Sequence, residues 1–263
     1  MRAKPYVGIT GPVTIEETRN VSREFSQAGY SMQSTHIPMI GFLASYKTLS
    51  GLLVENRRYP QVSSLPQLLR ATNKKVLPMI HYNSKEMNTL SDQITQLFEG
   101  LYDAGLCSAL QLNIAWPDIT QVMKIREQHP EMQIVFQASD KVMREQTPQQ
   151  VAQGIKQYQD SIQYVLIDPS GGQGQPFDLE SSINIYSEIS NRCPKVTIGF
   201  AGGFTGENVA PRTRELIERI ERNDFCIDAE GGLRDKITPA YGDDLLNINK
   251  VKEYLQSAAS VLR

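Results

Sequence analysis

The sequence lacks the features that mark most specialised proteins. Only three of its 263 residues are cysteines, Cys107, Cys193 and Cys226, and their spacing fits neither a zinc site nor a redox pair. They read as buried core thiols. Basic residues are not in excess: 27 Lys and Arg stand against 29 Asp and Glu, and they do not cluster with aromatics, which argues against nucleic acid as a partner. No apolar window approaches a membrane span, and the opening MRAKPYVGITG lacks the hydrophobic region of a signal peptide, so the expected location is cytoplasmic. No G-x-S-x-G or Walker sequence occurs, and no glycine loop after the first strand has dinucleotide spacing. No three His, Cys or acidic residues have zinc-motif spacing. Neither cofactor nor metal is therefore expected. Linkers, low-complexity tracts and heptads are also missing, so residues 1–263 read as one domain.

What the chain does have is alternation. Short apolar runs recur at Pro5–Ile9, Ile37–Leu43, Val76–Ile80, Ala109–Leu112, Met132–Phe136, Ile162–Ile167, Val196–Phe200 and Phe225–Ala229. Each is apolar throughout instead of alternating with polar residues, as strands buried on both faces are. Helical patterns separate them. The first begins at Thr14, whose capping box with Glu17 precedes Val21 and Phe25, and Gly29 would stop it. Thr147-Pro148 opens another, with cap and first-turn proline in place. Leu65–Ala71, Leu90–Leu101, Ile119–Ile125, Leu179–Ile189, Arg212–Ile220 and Leu245–Leu262 complete the set. Only Ala44–Pro66, polar and partly basic, resists assignment. Eight such units predict an α/β fold, a (β/α)8 TIM barrel, more readily than an open doubly wound sheet.

In a barrel the chemistry stands at the carboxyl ends of the strands. Those positions hold Thr10, His81, Asn113, Gln137, Asp168, Gly202-Gly203, Asp228 and Glu230. A carboxylate directly after a buried run pays for desolvation unless it is paired, so Asp168 and Asp228 are candidate acid–base residues. The plainer alternatives are that Asp168 caps a turn and Asp228 binds amides of its own loop. His81 either titrates near neutrality, donates to an anion, or makes a structural hydrogen bond. Gly202 and Gly203 after the seventh run, Gly231 and Gly232 after the eighth, and Gly172 in the glycine-rich turn after Asp168 suit an anion cradle. A phosphate-binding rim after strands 7 and 8 is the expectation. Arg57-Arg58-Tyr59, within the unassigned segment, either folds over the pocket so that Arg58 grips a carboxylate, or forms a solvated charge pair.

At these residues the chain resembles the phosphoribosylanthranilate isomerase family, a TIM barrel of tryptophan biosynthesis. Gly199–Val209, GFAGGFTGENV, is similar to the family's A-G-G-L-T-x-x-N-V phosphate loop. Asp168 with the following GGQGQPFD resembles D…GG-x-G-x-x-F-D, which implies a general-acid role for Asp168. Phe225–Asp235 resembles V-D-V-S-S-G-V-E followed by K-D, implying that Asp228 lies near the anthranilate portion of a substrate. Arg58-Tyr59 resembles an Arg-Tyr pair whose Arg meets the anthranilate carboxylate. The opening VGITGPVTIEE is similar to I-C-G-L-T-R-P-E-D, but Val7 replaces the general-base Cys. Asn113 takes a His position, and Glu230-Gly231 replace two serines.

The resemblance implies an enzyme acting on a small phosphorylated sugar derivative by aldose–ketose isomerisation, with Asp168, Asp228 and His81 as catalytic candidates. Arg58, Asn113, Gln137 and Glu230 are the substrate-binding candidates, and Val7 requires a base other than the family's. The alternative is a catalytically inactive barrel that binds a metabolite or docks a partner through residues 44–66. A lysine-dependent aldolase fits less well, since Lys74 and Lys75 precede their strand. The expected partner is a small phosphorylated or carboxylated metabolite, and a homodimer is left open.

Overall fold

In the computed structural model, residues 2–52, 54–72, 74–170 and 178–263 are described. Eight parallel strands close into a barrel in sequence order: β1 (Tyr6–Thr10), β2 (Ile37–Ser45), β3 (Leu77–Asn83), β4 (Ala109–Leu112), β5 (Gln133–Ser139), β6 (Tyr164–Asp168), β7 (Thr197–Ala201) and β8 (Cys226–Ala229). The seam is a parallel pairing of β1 with β8, Val7 opposite Ile227. This is the (β/α)8 TIM barrel that the alternating pattern predicts.

Both faces of each strand are buried, for two different reasons. One set of alternate residues, including Tyr6, Met39, Met79, Val135, Leu166 and Cys226, fills the barrel interior as a cluster of its own. The other set, including Val7, Ile40, Ile80, Leu110, Phe136, Ile167 and Phe200, packs outward in the larger core that includes helix residues such as Val21, Ile94 and Leu216. Continuous apolar runs are the sequence imprint of this double burial.

The helices are α1 (Ile15–Gln27), α2 (Tyr46–Leu49), α3 (Leu65–Ala71), α4 (Leu90–Phe98), α5 (Ile119–Gln128), α6 (Asp140–Glu145), α7 (Pro148–Lys156), α8 (Leu179–Arg192), α9 (Val209–Ile220) and α10 (Ile248–Leu262). Local chemistry sets several of their ends. Thr14 Oγ1 accepts from Glu17 N at 3.1 Å while the Glu17 carboxylate takes the Thr14 amide, the box expected for α1. Thr147 and Gln150 repeat that arrangement at α7. The last helix begins at Ile248 instead of Leu245, because Asn247 caps it through the amides of Asn249 and Lys250.

Leu245 belongs instead to an antiparallel hairpin of β9 (Arg234–Lys236) and β10 (Asp244–Leu246), which follows the barrel. The unassigned segment carries α2, capped by Ser45, and a 3-10 turn at Val62–Ser64. Among the described residues no helix is long and apolar enough to cross a membrane.

Candidate active site

Period-two alternation that fills the lower barrel with Met39, Met79 and Leu166 changes to polar residues at the carboxyl ends. A cavity of about 220 Å³ opens there. His81 and Asn83 line it from β3, Gln111 and Asn113 from β4 and its end, and Gln137 and Ser139 from β5. Asp168, Gly202, Gly203, Asp228, Glu230 and Gly231 line the β6–β8 side, and Tyr59 and Tyr241 belong to the same wall. The sequence candidates His81, Asn113, Gln137, Asp168, Asp228 and Glu230 are thus brought to one rim. Gly172 lies outside the described residues. Gly232 and Arg58 are close by without lining the cavity, and each has a different task.

The two aspartates stand in contrasting environments. Asp168, 5% exposed, is surrounded by donors: Gln137 Nε2 reaches Oδ2 at 2.5 Å, and Ser170 reaches Oδ1 through its amide at 3.0 Å and its hydroxyl at 2.9 Å. Such a set suits an ionised carboxylate, which accepts at every oxygen. Asp228 is equally buried, and its carboxyl meets the Thr10 hydroxyl, 3.2 Å from each oxygen, and the Ala229 amide. Burial pushes Asp228 well above the usual carboxylate range. The charges of Glu230 and Asp168 add to this, and the Thr10 and Ala229 hydrogen bonds offset only part of it. Of the two, Asp228 is the one whose surroundings favour the protonated form.

Burial also raises Glu230, while the guanidinium groups of Arg58 and Arg234 pull it back. Arg58 Nη1 donates to Glu230 Oε1 at 2.6 Å. The bidentate face of Arg58 is engaged by Asp244 of β10, so the carboxylate it grips is the chain's own. Arg234 donates to Asp244 at 3.2 Å and to the Gly11 carbonyl at 2.5 Å. Arg58 thereby ties the hairpin to the segment after β2, and Arg234 ties it to the turn after β1. Tyr241, 52% exposed near its tip, lies 4.8 Å from Arg58 in a cation–π contact.

His81 differs from the expectation that it titrates near neutrality. Its ring is 2% exposed, and burial lowers it to about 3, so it enters the site as neutral imidazole. Two glycines make room for these polar groups. A Cβ on Gly8 would meet Asp228 Oδ1 at 2.7 Å, and one on Gly41 would meet Thr10 Oγ1 at 2.5 Å and His81 Nε2 at 2.6 Å. Gly202 and Gly203 have φ of 113° and 62°, so the loop after β7 turns where side chains are disfavoured. Gly232 serves packing: a Cβ there would stand 2.2 Å from the Phe204 carbonyl.

Sequence reasoning missed Gln111, Arg234, Tyr241 and Asp244. Alternation counted back from Asn113 finds Gln111, which shares its face. The other three follow the last barrel strand, in stretches without apolar patterning.

Fold and rim together define a TIM barrel with an acid-lined carboxyl-end cavity. Neither a scan against protein-family models nor a search among curated proteins gives a match. Among solved structures, phosphoribosyl anthranilate isomerase from Thermotoga maritima superposes with a TM-score of 0.60 at 15% identity, covering 97% of this chain and 99% of that one. The Thermus thermophilus enzyme gives 0.60 at 14% identity over 97% and 98%. Tryptophan synthase subunit alpha from Legionella pneumophila gives 0.61 at 13% over 98% and 92%. At these identities the likeness is one of fold.

Proposed function

We propose that this barrel is an isomerase-type enzyme that moves a proton between adjacent carbons of a small phosphorylated sugar derivative. One observation carries the reading: Asp168 and Asp228 line one cavity, the first held among hydrogen-bond donors and the second raised by burial. Aldose–ketose isomerisation needs such a pair, an acid to protonate the departing or carbonyl oxygen and a base to remove the proton at C2. Asp228 supplies the acid and Asp168 the base. This reverses the role that the family resemblance implies for Asp168, and it removes the need for a base at Val7. Gly202 and Gly203 present a backbone suited to the phosphate end.

Support comes from two further features. A phosphoribosyl anthranilate isomerase of the same fold has been solved with a reduced 1-(o-carboxyphenylamino)-1-deoxyribulose 5-phosphate. The segment after β2, which an inactive docking barrel would present outward, instead brings Tyr59 to the cavity and Arg58 to Glu230.

The test is turnover of freshly made phosphoribosylanthranilate by the wild type and by Asp168→Asn and Asp228→Asn. Each variant should lose about 10²–10⁴-fold in kcat while remaining folded. Turnover that ignores both substitutions rejects the acid–base pair, and folded wild type without turnover retires the anthranilate substrate.

A further inference from the structure

Across the barrel from the acids, the cavity wall is uncharged. The closed strand order sets β3 and β4 opposite β7 and β8, and the inward residues there are His81 and Gln111, paired in register. Both line the cavity and each is only 2% exposed. Yet His81 Nε2 and Gln111 Oε1 have no hydrogen-bond partner among the described residues. An orphaned buried polar atom costs about 1–3 kcal/mol, so two of them side by side on a cavity wall need an explanation.

The local architecture holds these groups in place. Gln111 Nε2 donates to Asn113 Oδ1 at 2.8 Å, which fixes the amide and makes its oxygen the unmatched atom. Gly41 leaves the space the imidazole fills, since a Cβ there would stand 2.6 Å from Nε2. No lysine or arginine is among the described residues lining the cavity. An anion placed at this wall would meet a neutral ring and the carbonyl oxygen of an amide, with no charge to stabilise it.

We infer that His81 and Gln111 form a subsite for the vicinal hydroxyls of an uncharged polyol segment. A hydroxyl both donates and accepts, so one hydroxyl can donate to Gln111 Oε1 while its neighbour pairs with His81 Nε2 in either tautomer. The cavity's roughly 220 Å³ equals about seven water volumes, which suits a small sugar. This inference rests on the isomerase reading for the substrate's orientation, with its hydroxylated carbons on the β3–β4 wall and its phosphate toward Gly202. Gln111 is then a specificity-determining residue, and His81 binds as neutral imidazole instead of exchanging a proton.

The experiment follows the imidazole resonances of the ¹⁵N-labelled full chain, with His81 assigned through His81→Gln. The probes are ribose 5-phosphate, 2-deoxyribose 5-phosphate and inorganic phosphate. Ribose 5-phosphate should move the His81 ring, and inorganic phosphate should leave it in place. Loss of the 2-hydroxyl, or Gln111→Met in a variant with wild-type circular dichroism, should weaken sugar binding about tenfold. Equal affinity of Gln111→Met and wild type would mean that these atoms hold a trapped water only, and would overturn the subsite. An unmoved ring at saturating ribose 5-phosphate, or no binding of that sugar, would also overturn it. Turnover of phosphoribosylanthranilate with an unmoved ring removes the subsite alone. A shifted ring without turnover keeps the subsite and retires the isomerase reading.

Discussion

Arg58 and Asp244 meet through two parallel hydrogen bonds, Nε to Oδ1 at 3.0 Å and Nη2 to Oδ2 at 2.6 Å, with both side chains 1% exposed. This pair joins the segment after β2 to the β9–β10 hairpin and backs Glu230 at the cavity wall. Removing Asp244 takes a buried counter-charge from both Arg58 and Arg234, and breaking a buried pair typically costs about 3–5 kcal/mol. Asp244→Ala should therefore lower stability by that order in denaturant unfolding. The neighbouring Arg57–Asp243 pair is a control, because Arg57 is 58% exposed. Arg57→Ala should cost less than about 1 kcal/mol.

The same pair sets an acid limit. Burial alone would raise Asp244, but its bonds with Arg58 and the charges of Arg58 and Arg234 bring it below the usual carboxylate value. A carboxyl depressed on folding contributes stability above its unfolded value, about 3.9, and loses it as pH falls through the folded one. Wild-type stability should drop through this acid window. Asp244→Asn should start less stable and show a shallower acid slope in urea titrations at stepped pH.

Asp228 works in the opposite direction. Its folded value is raised, so its contribution is present below the unfolded value and is lost as pH rises through the folded one. Asp228→Asn should remove that alkaline loss and be more stable than wild type above the transition, even as turnover falls. Glu230→Gln removes a negative neighbour, so the alkaline limb of the rate profile should move to lower pH. An unmoved limb would show that Glu230 does not tune the acid.

The barrel and half of its rim were legible because their signals are local. Val165–Ile167 followed by Asp168, and Ile227 followed by Asp228, are buried strand residues leading into an acid at an end. Thr14 and Glu17 announce a helix start within four positions. The ion network had no such signal. Arg58, Arg234 and Asp244 are separated by up to 186 positions, and the hairpin strands that carry two of them have only three residues each. Long-range electrostatics, with little local patterning, selects that pairing. The contrast in hydrogen bonding between Asp168 and Asp228 was equally invisible, because it depends on which donors neighbouring residues bring: Gln137 and Ser170 for one, Thr10 for the other.

The glycines at the rim separate by role, and substitution should sort them. At Gly232 a Cβ would stand 2.2 Å from the backbone carbonyl of Phe204, an atom that no side-chain rotation can move away. Gly232→Ala should destabilise the fold by about 1–3 kcal/mol, as overpacking does, while the surviving folded protein keeps its affinity for inorganic phosphate. Gly203 lines the cavity with φ of 62°, a conformation that costs alanine about 1–2 kcal/mol. Gly203→Ala should therefore cost about 1–2 kcal/mol of stability and also weaken phosphate binding, because the new methyl crowds the loop where an anion would approach the backbone. Thermal unfolding with and without phosphate measures both effects in one series. If Gly203→Ala retains the full phosphate-induced shift, the loop after β7 is a turn and not an anion cradle.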